Sequence, residues 1–377
     1  MTTKVLQLRC STGFFGAENV ILELAKGLRS TTDFHPVIGV LPNRYSAPDA
    51  LADAARRHGI DTVEFPCRAG FDPAAIRMIR RYICAEDISV IHSHGYKADF
   101  YTWAASLGFR ANTLATCHPW TEVQYNARAR LYTALDKRLL GGFNRLVAVS
   151  ETVQTELAQA GVPASRTSII ENGIDISRFG QTSQDRSRDM LGLPRQKFIV
   201  GTIGRLVHEK AHTLLLQAAK ETLSLHPGLL FVIVGDGPLR ESLRTQAENL
   251  GIADHLLFTG VSDRIPEMLS AFDVFVLSST SEGLPMVVLE AMASRKPIIT
   301  TGVGAIPGVV IHGSSGLVVR PDAAEISAAI SFVVRNHTVA IRFAETAYNR
   351  VKQKYSADAM AQNYAALYRD MRRQNIN

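Results

Sequence analysis

The chain has little cysteine and no pattern in it. Among 377 residues only Cys10, Cys67, Cys84 and Cys117 occur, with no CxxC pair and no His/Cys pairing at zinc-ligand spacing. That argues against a structural zinc site and a disulfide framework, and it suits a reduced compartment such as the cytoplasm. No apolar run approaches the roughly 18–20 residues that a membrane-spanning helix requires. The first ten residues, MTTKVLQLRC, enter a strand pattern directly and lack the charged-then-apolar layout of a secretory signal, which again predicts a cytoplasmic protein. No Lys/Arg cluster with interleaved aromatics is present, so nucleic acid is not an expected partner. No GxGxxG follows the first strand and Gly13-x-x-Gly16 is too short for one, which counts against a dinucleotide-dependent oxidoreductase.

What is present is an ordinary globular balance, 46% hydrophobic and 20% charged, in a chain long enough for two domains that each bury a core. The net charge of +6 is compatible with anionic ligands or an anionic surface. Short β-branched runs alternate with longer helical patterns. The first half predicts strands at 4–9, 36–41, 62–65, 89–93, 113–117, 146–149 and 168–170, with helical stretches such as 17–28 and 48–58 between them. After a polar stretch without strands, 175–194, the alternation restarts with strands at 198–203, 230–234, 256–258, 274–277, 298–300 and 317–319. Two such series predict an α/β protein of two Rossmann-like, doubly wound domains facing across a cleft. Ligands of such sheets bind beyond the carboxyl ends of the strands, so chemistry-bearing residues should lie just after them.

They do. The block Ser281-Glu282-Gly283-Leu284-Pro285-Met286-Val287-Val288-Leu289-Glu290-Ala291-Met292-Ala293 follows strand 274–277 and opens a helix. Pro285 falls near the first helical position, where a missing N–H costs nothing. The N–H groups of Met286, Val287 and Val288 would then emerge at the positive end of the helix dipole, a site for phosphate. Glu290 lies in an apolar stretch, where a carboxylate needs a partner, and vicinal hydroxyls would serve. Taken alone, Glu282 and Glu290 could equally be a helix cap and a structural ion pair. The second block, Gly201-Thr202-Ile203-Gly204-Arg205-Leu206-Val207-His208-Glu209-Lys210, follows the first strand of the second half. Arg205 and Lys210 straddle its turn, where two cations can bind a diphosphate.

With Val232–Pro238 between them, these blocks resemble the second domain of family 4 of the retaining glycosyltransferases, which have the GT-B fold. The first half is similar to that family through Gly13-Phe14-Phe15-Gly16-Ala17-Glu18, His92-Ser93-His94, Ala115-Thr116-Cys117-His118, Val149-Ser150-Glu151 and Asn172-Gly173-Ile174-Asp175. The resemblance implies an acceptor-side domain at 1–175, a nucleotide-sugar domain at 190–356, and a C-terminal helix, 357–377, packing back on the first. It implies that Arg205 and Lys210 bind the diphosphate of a UDP- or GDP-sugar, with Gly283, Leu284, Pro285, Met286 and Val287 forming the loop and helix start beside it. Glu282 would hold hydroxyls of the transferred sugar and Glu290 the ribose. Gly16, lacking a Cβ, would let its backbone approach phosphates and acceptor. His118 would hydrogen-bond the sugar and help stabilise the transition state; of His92 and His94, one would merely line the cleft. The sequence departs from the family at Ala211, where glycine is usual, and in the two phenylalanines of the Gly13–Gly16 loop.

The implied activity is transfer of a hexose or N-acetylhexosamine to a glycan or lipid-linked acceptor, in cell-surface polysaccharide or glycolipid synthesis. Cations aimed at the leaving diphosphate supply the charge stabilisation. No DxD motif occurs, so no metal cofactor is expected. Retention of the anomeric configuration, with the departing phosphate taking the acceptor's proton, is implied by the resemblance alone. A nucleotide-sugar epimerase of the same fold and a non-catalytic nucleotide-sugar-binding subunit are the alternatives. The segment 125–145 carries Arg128, Arg130, Lys137, Arg138 and Arg145 among Tyr125, Leu131, Tyr132, Leu135, Leu139, Leu140 and Phe143, and Arg77, Arg80 and Arg81 form a second basic stretch. Both would suit peripheral contact with the inner face of the cell membrane, or else a packed helix with a solvated face.

Overall fold

The computed structural model describes residues 2–10, 13, 16–42, 49–68, 72–109, 111–118 and 137–374. The chain divides into two compact units: Met1–Gly173 with Ala357–Asn377, and Ile174–Ser356. The stretch left between the expected domains, 176–189, therefore belongs to the second.

The first unit holds a seven-stranded sheet of β1 (Thr3–Arg9), β2 (Phe34–Val40), β3 (Asp61–Glu64), β4 (Val90–His94), β5 (Asn112–Cys117), β6 (Arg145–Ala148) and β7 (Thr167–Ile169). Its order is β3-β2-β1-β4-β5-β6-β7, and neighbouring strands run parallel. The central strands are buried on both faces, as Val5, Leu6, Leu8, Val90 and Ile91 show, so their apolar residues are not confined to alternate positions. The last helix, Ala357–Gln374, packs on the first, Gly16–Arg29. The approach is so close that a Cβ on Gly27 would meet the Cβ of Ala361 at 2.4 Å. Met360, Tyr364, Tyr368 and Met371 are buried along its inner stripe, and Arg369 pairs with Asp33 at 2.7 Å.

The second unit is built likewise from β8 (Phe198–Ile203), β9 (Leu229–Val234), β10 (Leu256–Gly260), β11 (Val274–Leu277), β12 (Ile298–Thr301) and β13 (Leu317–Val319). Its order is β10-β9-β8-β11-β12-β13, again parallel. In both sheets the order reverses at one place, between β1 and β4 and between β8 and β11. Loops diverge there and leave a crevice at the carboxyl ends of the strands.

One helix falls in the polar stretch without predicted strands. Gln184–Leu191 ends on Gly192 in the left-handed conformation, φ 66°, and the residues it buries are Ser187 and Arg188. Arg188 donates to Ala271 O at 2.9 Å and Arg195 O at 2.7 Å and pairs with Asp273 at 2.6 Å. A helix whose inner face is polar has no apolar periodicity to read.

Of the basic segment 125–145, residues up to 136 lie outside the described residues. In the rest, three positions have the character of the packed-helix alternative rather than of a membrane-facing surface. Leu140 and Phe143 are buried in the core of the first unit. Arg145 begins β6 and pairs with Asp370 at 2.6 Å. Arg77 and Arg81 are exposed, while Arg80 lies over the Phe109 ring at 4.6 Å. Among the described residues no helix is long and apolar enough to cross a membrane.

Candidate functional site

In the second unit the switch point is walled by loops that bond to one another. The loop after β8 is stitched to the one after β9, with Gly204 N–H donating to Val234 O at 2.9 Å and Leu206 N–H to Asp236 O at 2.9 Å. Gly235, at φ +134°, makes this possible, because a Cβ there would stand 1.9 Å from Gly204 O. On the other side Ser278 Oγ donates to Lys210 O at 3.0 Å and Thr280 N–H to Glu209 O at 2.9 Å. Gly304, at φ +56°, lets the loop after β12 press on Glu282, whose carbonyl would lie 1.8 Å from a Cβ.

These loops bring Lys210 and Glu282 together: Lys210 Nζ lies 2.5 Å from Glu282 Oε1. Ser279 Oγ donates to the same oxygen at 2.6 Å. Arg205, on the same loop as Lys210, is exposed, and among the described residues its guanidinium has no side-chain partner. The helix Met286–Ala293 begins one residue later than the proline suggests. Pro285 is its cap, extended at ψ 114°, and Val288 N–H is already donated to Pro285 O at 3.0 Å. The open helix start thus narrows to Met286 and Val287. Leu284 and Pro285 are buried and Gly283 half-buried, so the loop offers backbone rather than side chains. Glu290 lies one turn into the helix, half-buried. Burial raises its carboxyl to about 7, opposed by the charge of Arg178.

Ala211 departs from local ease. It sits at φ +46°, ψ +43° as the residue capping the helix His212–Leu225, a left-handed conformation that glycine adopts at less cost.

In the first unit His118 directly follows β5 and is half-buried. Its imidazole is lowered to about 4, first by burial and then by the nearby Arg9 cation, with Glu18 acting the other way. Gly16 opens the helix Gly16–Arg29; Phe14 and Phe15 lie outside the described residues. Neither His92 nor His94 lines an open surface, being 0% and 2% exposed. His92 is held by both ring nitrogens, 2.7 Å from Tyr368 OH and 2.7 Å from Thr116 Oγ1, and Thr116 is in turn 2.8 Å from Tyr364 OH. The His94 ring lies against that of His92, tilted, with centroids 4.0 Å apart. Arg9 is a charged residue at a strand end with no motif around it to mark it in the sequence. Arg9 Nε donates to Glu18 Oε1 at 3.0 Å and Nη1 to His94 O at 2.9 Å.

Two doubly wound parallel sheets, each with polar groups gathered at its switch point, define a class of two-domain α/β proteins. The solved structure of HepE from Anabaena in complex with UDP and glucose has this fold, with a TM-score of 0.85 at 23% identity, covering 98% of this chain and 100% of that one. The family model for glycosyltransferase family 4 matches residues 15–178 and that for glycosyl transferases group 1 matches residues 183–350. The GDP-mannose-dependent α-(1-6)-phosphatidylinositol monomannoside mannosyltransferase of Mycobacterium tuberculosis is 31% identical over 292 residues, 73% of this chain and 74% of that protein. Putative glycosyltransferase EpsF of Bacillus subtilis is 31% identical over 221 residues, 56% of this chain and 56% of EpsF. The chain belongs to glycosyltransferase family 4, among the group 1 glycosyl transferases.

Proposed function

We propose that the protein transfers a hexose or N-acetylhexosamine from a UDP- or GDP-sugar to a glycan or lipid-linked acceptor in cell-surface polysaccharide or glycolipid synthesis, with retention and without a metal. The observation that carries the reading is the contact between Lys210 and Glu282 at the β8/β11 switch point, with Arg205, which has no side-chain partner among the described residues, exposed on the same loop. Breaking a glycosyl–phosphate bond leaves negative charge on the diphosphate and positive character on the sugar. Arg205, Lys210 and the Met286 and Val287 N–H groups bind the former; Glu282 holds hydroxyls of the latter and Glu290 those of the ribose. His118 hydrogen-bonds the transferred sugar, and Gly16 lets backbone come close to phosphate and acceptor. With two cations serving the leaving group and no DxD motif in the chain, the reaction needs no bound metal.

The choice of base rests on the relatives' names, one in complex with UDP and one dependent on GDP-mannose. A lipid-linked acceptor is supported by the second name, and peripheral contact with the inner face of the membrane would then run through exposed cations such as Arg77 and Arg81. Calorimetry with uridine, guanosine, adenosine and thymidine sugar diphosphates tests the reading, and no binding by any of them overturns it. For the donor that binds, NMR of the product reads the anomer, activity after chelation reads the metal, and nucleotide release that proceeds without acceptor points to the epimerase instead.

A further inference from the structure

Arg9 is the last residue of β1, at the switch point of the first sheet, with Val40 and His94 as its lateral neighbours in register. Its guanidinium makes two directed contacts. Nε reaches the carboxylate of Glu18 in the first turn of the helix Gly16–Arg29, and Nη1 reaches the carbonyl of His94 at the end of β4. Residue 95 beside it is glycine at φ +94°, and a Cβ there would lie 2.9 Å from Arg9 Nη1. The pair is well shielded, with side-chain exposures of 21% for Arg9 and 3% for Glu18. In such surroundings removing one partner strands the other charge, so the geometry is strongly held.

We propose that Arg9 is a positioning residue for sugar transfer, tying the helix that follows the Gly13–Gly16 loop to the end of β4, beside which β5 leads into His118. Its second effect is electrostatic. Among the described residues the charged or titratable groups bearing on His118 are Arg9 from β1, Glu18 from the first helix, and His92 and His94 from β4. Arg9 disfavours a proton on His118 and Glu18 favours one. The tie thus keeps the imbalance of a fixed cation beside a neutral imidazole, which can accept a hydrogen bond at one nitrogen while donating from the other. The link to catalysis rests on His118 facing the sugar; the tie itself does not.

The test uses the full chain with Arg9→Gln, Arg9→Lys and Glu18→Gln. Amide hydrogen exchange in Arg9→Gln should rise at the start of the Gly16–Arg29 helix while β8–β13 stay unchanged, and Arg9→Lys should rise less. In ¹⁵N-histidine NMR titrations, with the His118 signal assigned by its loss in His118→Asn, the midpoint should move up by about one unit in Arg9→Gln and down in Glu18→Gln. Opposite signs are the signature, since a loss of packing alone would move both the same way. Unchanged exchange at the helix start, or midpoints that stay put or move together, overturns the proposal. If both behave as expected but His118→Ala transfers sugar at the wild-type rate, the tie stands and the role given to His118 falls. Should Arg9→Gln not fold, Arg9→Lys, which keeps the charge and loses the fork, decides on the exchange readout.

Discussion

Lys210 Nζ stands 2.5 Å from Glu282 Oε1, so the cation assigned to the diphosphate and the acid assigned to the sugar are partners before either meets a ligand. The side chains are 21% and 9% exposed, and Ser279 adds a second hydrogen bond to the carboxylate. Each group is thereby aimed and its charge offset by its partner. The two should behave as a unit: Lys210→Ala and Glu282→Ala should each lower kcat/KM by about 100-fold or more, and the double mutant should lose much less than the product of the two. A double-mutant cycle in activity, repeated in urea denaturation, reads the coupling, expected at about 0.5–3 kcal/mol. Additive losses would mean that the contact is incidental.

At φ +46°, Ala211 holds a strained turn directly beside Lys210. Ala211→Gly should stabilise the protein by about 1 kcal/mol, the left-handed penalty of a Cβ less the extra flexibility of glycine in the unfolded chain. Chemical denaturation measures it, and a lower midpoint in the glycine variant would show that the turn is not strained.

The fold was readable because parallel strands buried on both faces leave unbroken apolar runs, of which Val274–Leu277 in β11 is a clear case. Helix Gln184–Leu191 was not, since it turns Ser187 and Arg188 inward. Within the site, Lys210 and Glu282 stand 72 positions apart and carry motifs that suggest a role for each; their direct contact follows from β8 lying beside β11. Arg9 has no motif at all. Its importance arises from three neighbours, Glu18, His94 and Gly95, that meet only when β1 pairs with β4. Nor could the pattern tell His92 from His94. What separates them is the pair of tyrosines on a helix more than 270 positions away.

Those tyrosines lead to a stability prediction. Tyr368→Phe leaves His92 Nδ1 in a fully buried setting without its 2.7 Å partner, which should cost about 1–3 kcal/mol. Tyr364→Phe should cost less, because Thr116 keeps its contact to His92. Denaturant melts of the two variants check the order, and equal small losses would show that water replaces the hydroxyls.

Glu290 gives the pH dependence its sign. Burial, offset by Arg178, raises its carboxyl from an ordinary 4.5 to about 7. An acid whose folded value lies above its unfolded one favours the protonated folded state. The stability it contributes is complete below about 4.5 and is lost as pH rises through about 7. Glu290→Gln, which cannot ionise, should remove that decline. A comparison of melting temperatures between pH 5 and 8 should therefore show the wild type falling relative to the variant as pH rises. Bound nucleotide sugar should narrow the gap if ribose hydroxyls meet the carboxylate, because hydrogen bonds to the charged form lower its value. Parallel profiles across that range would show that Glu290 is already ionised and solvated in the free protein, and would remove the reason to place the ribose there.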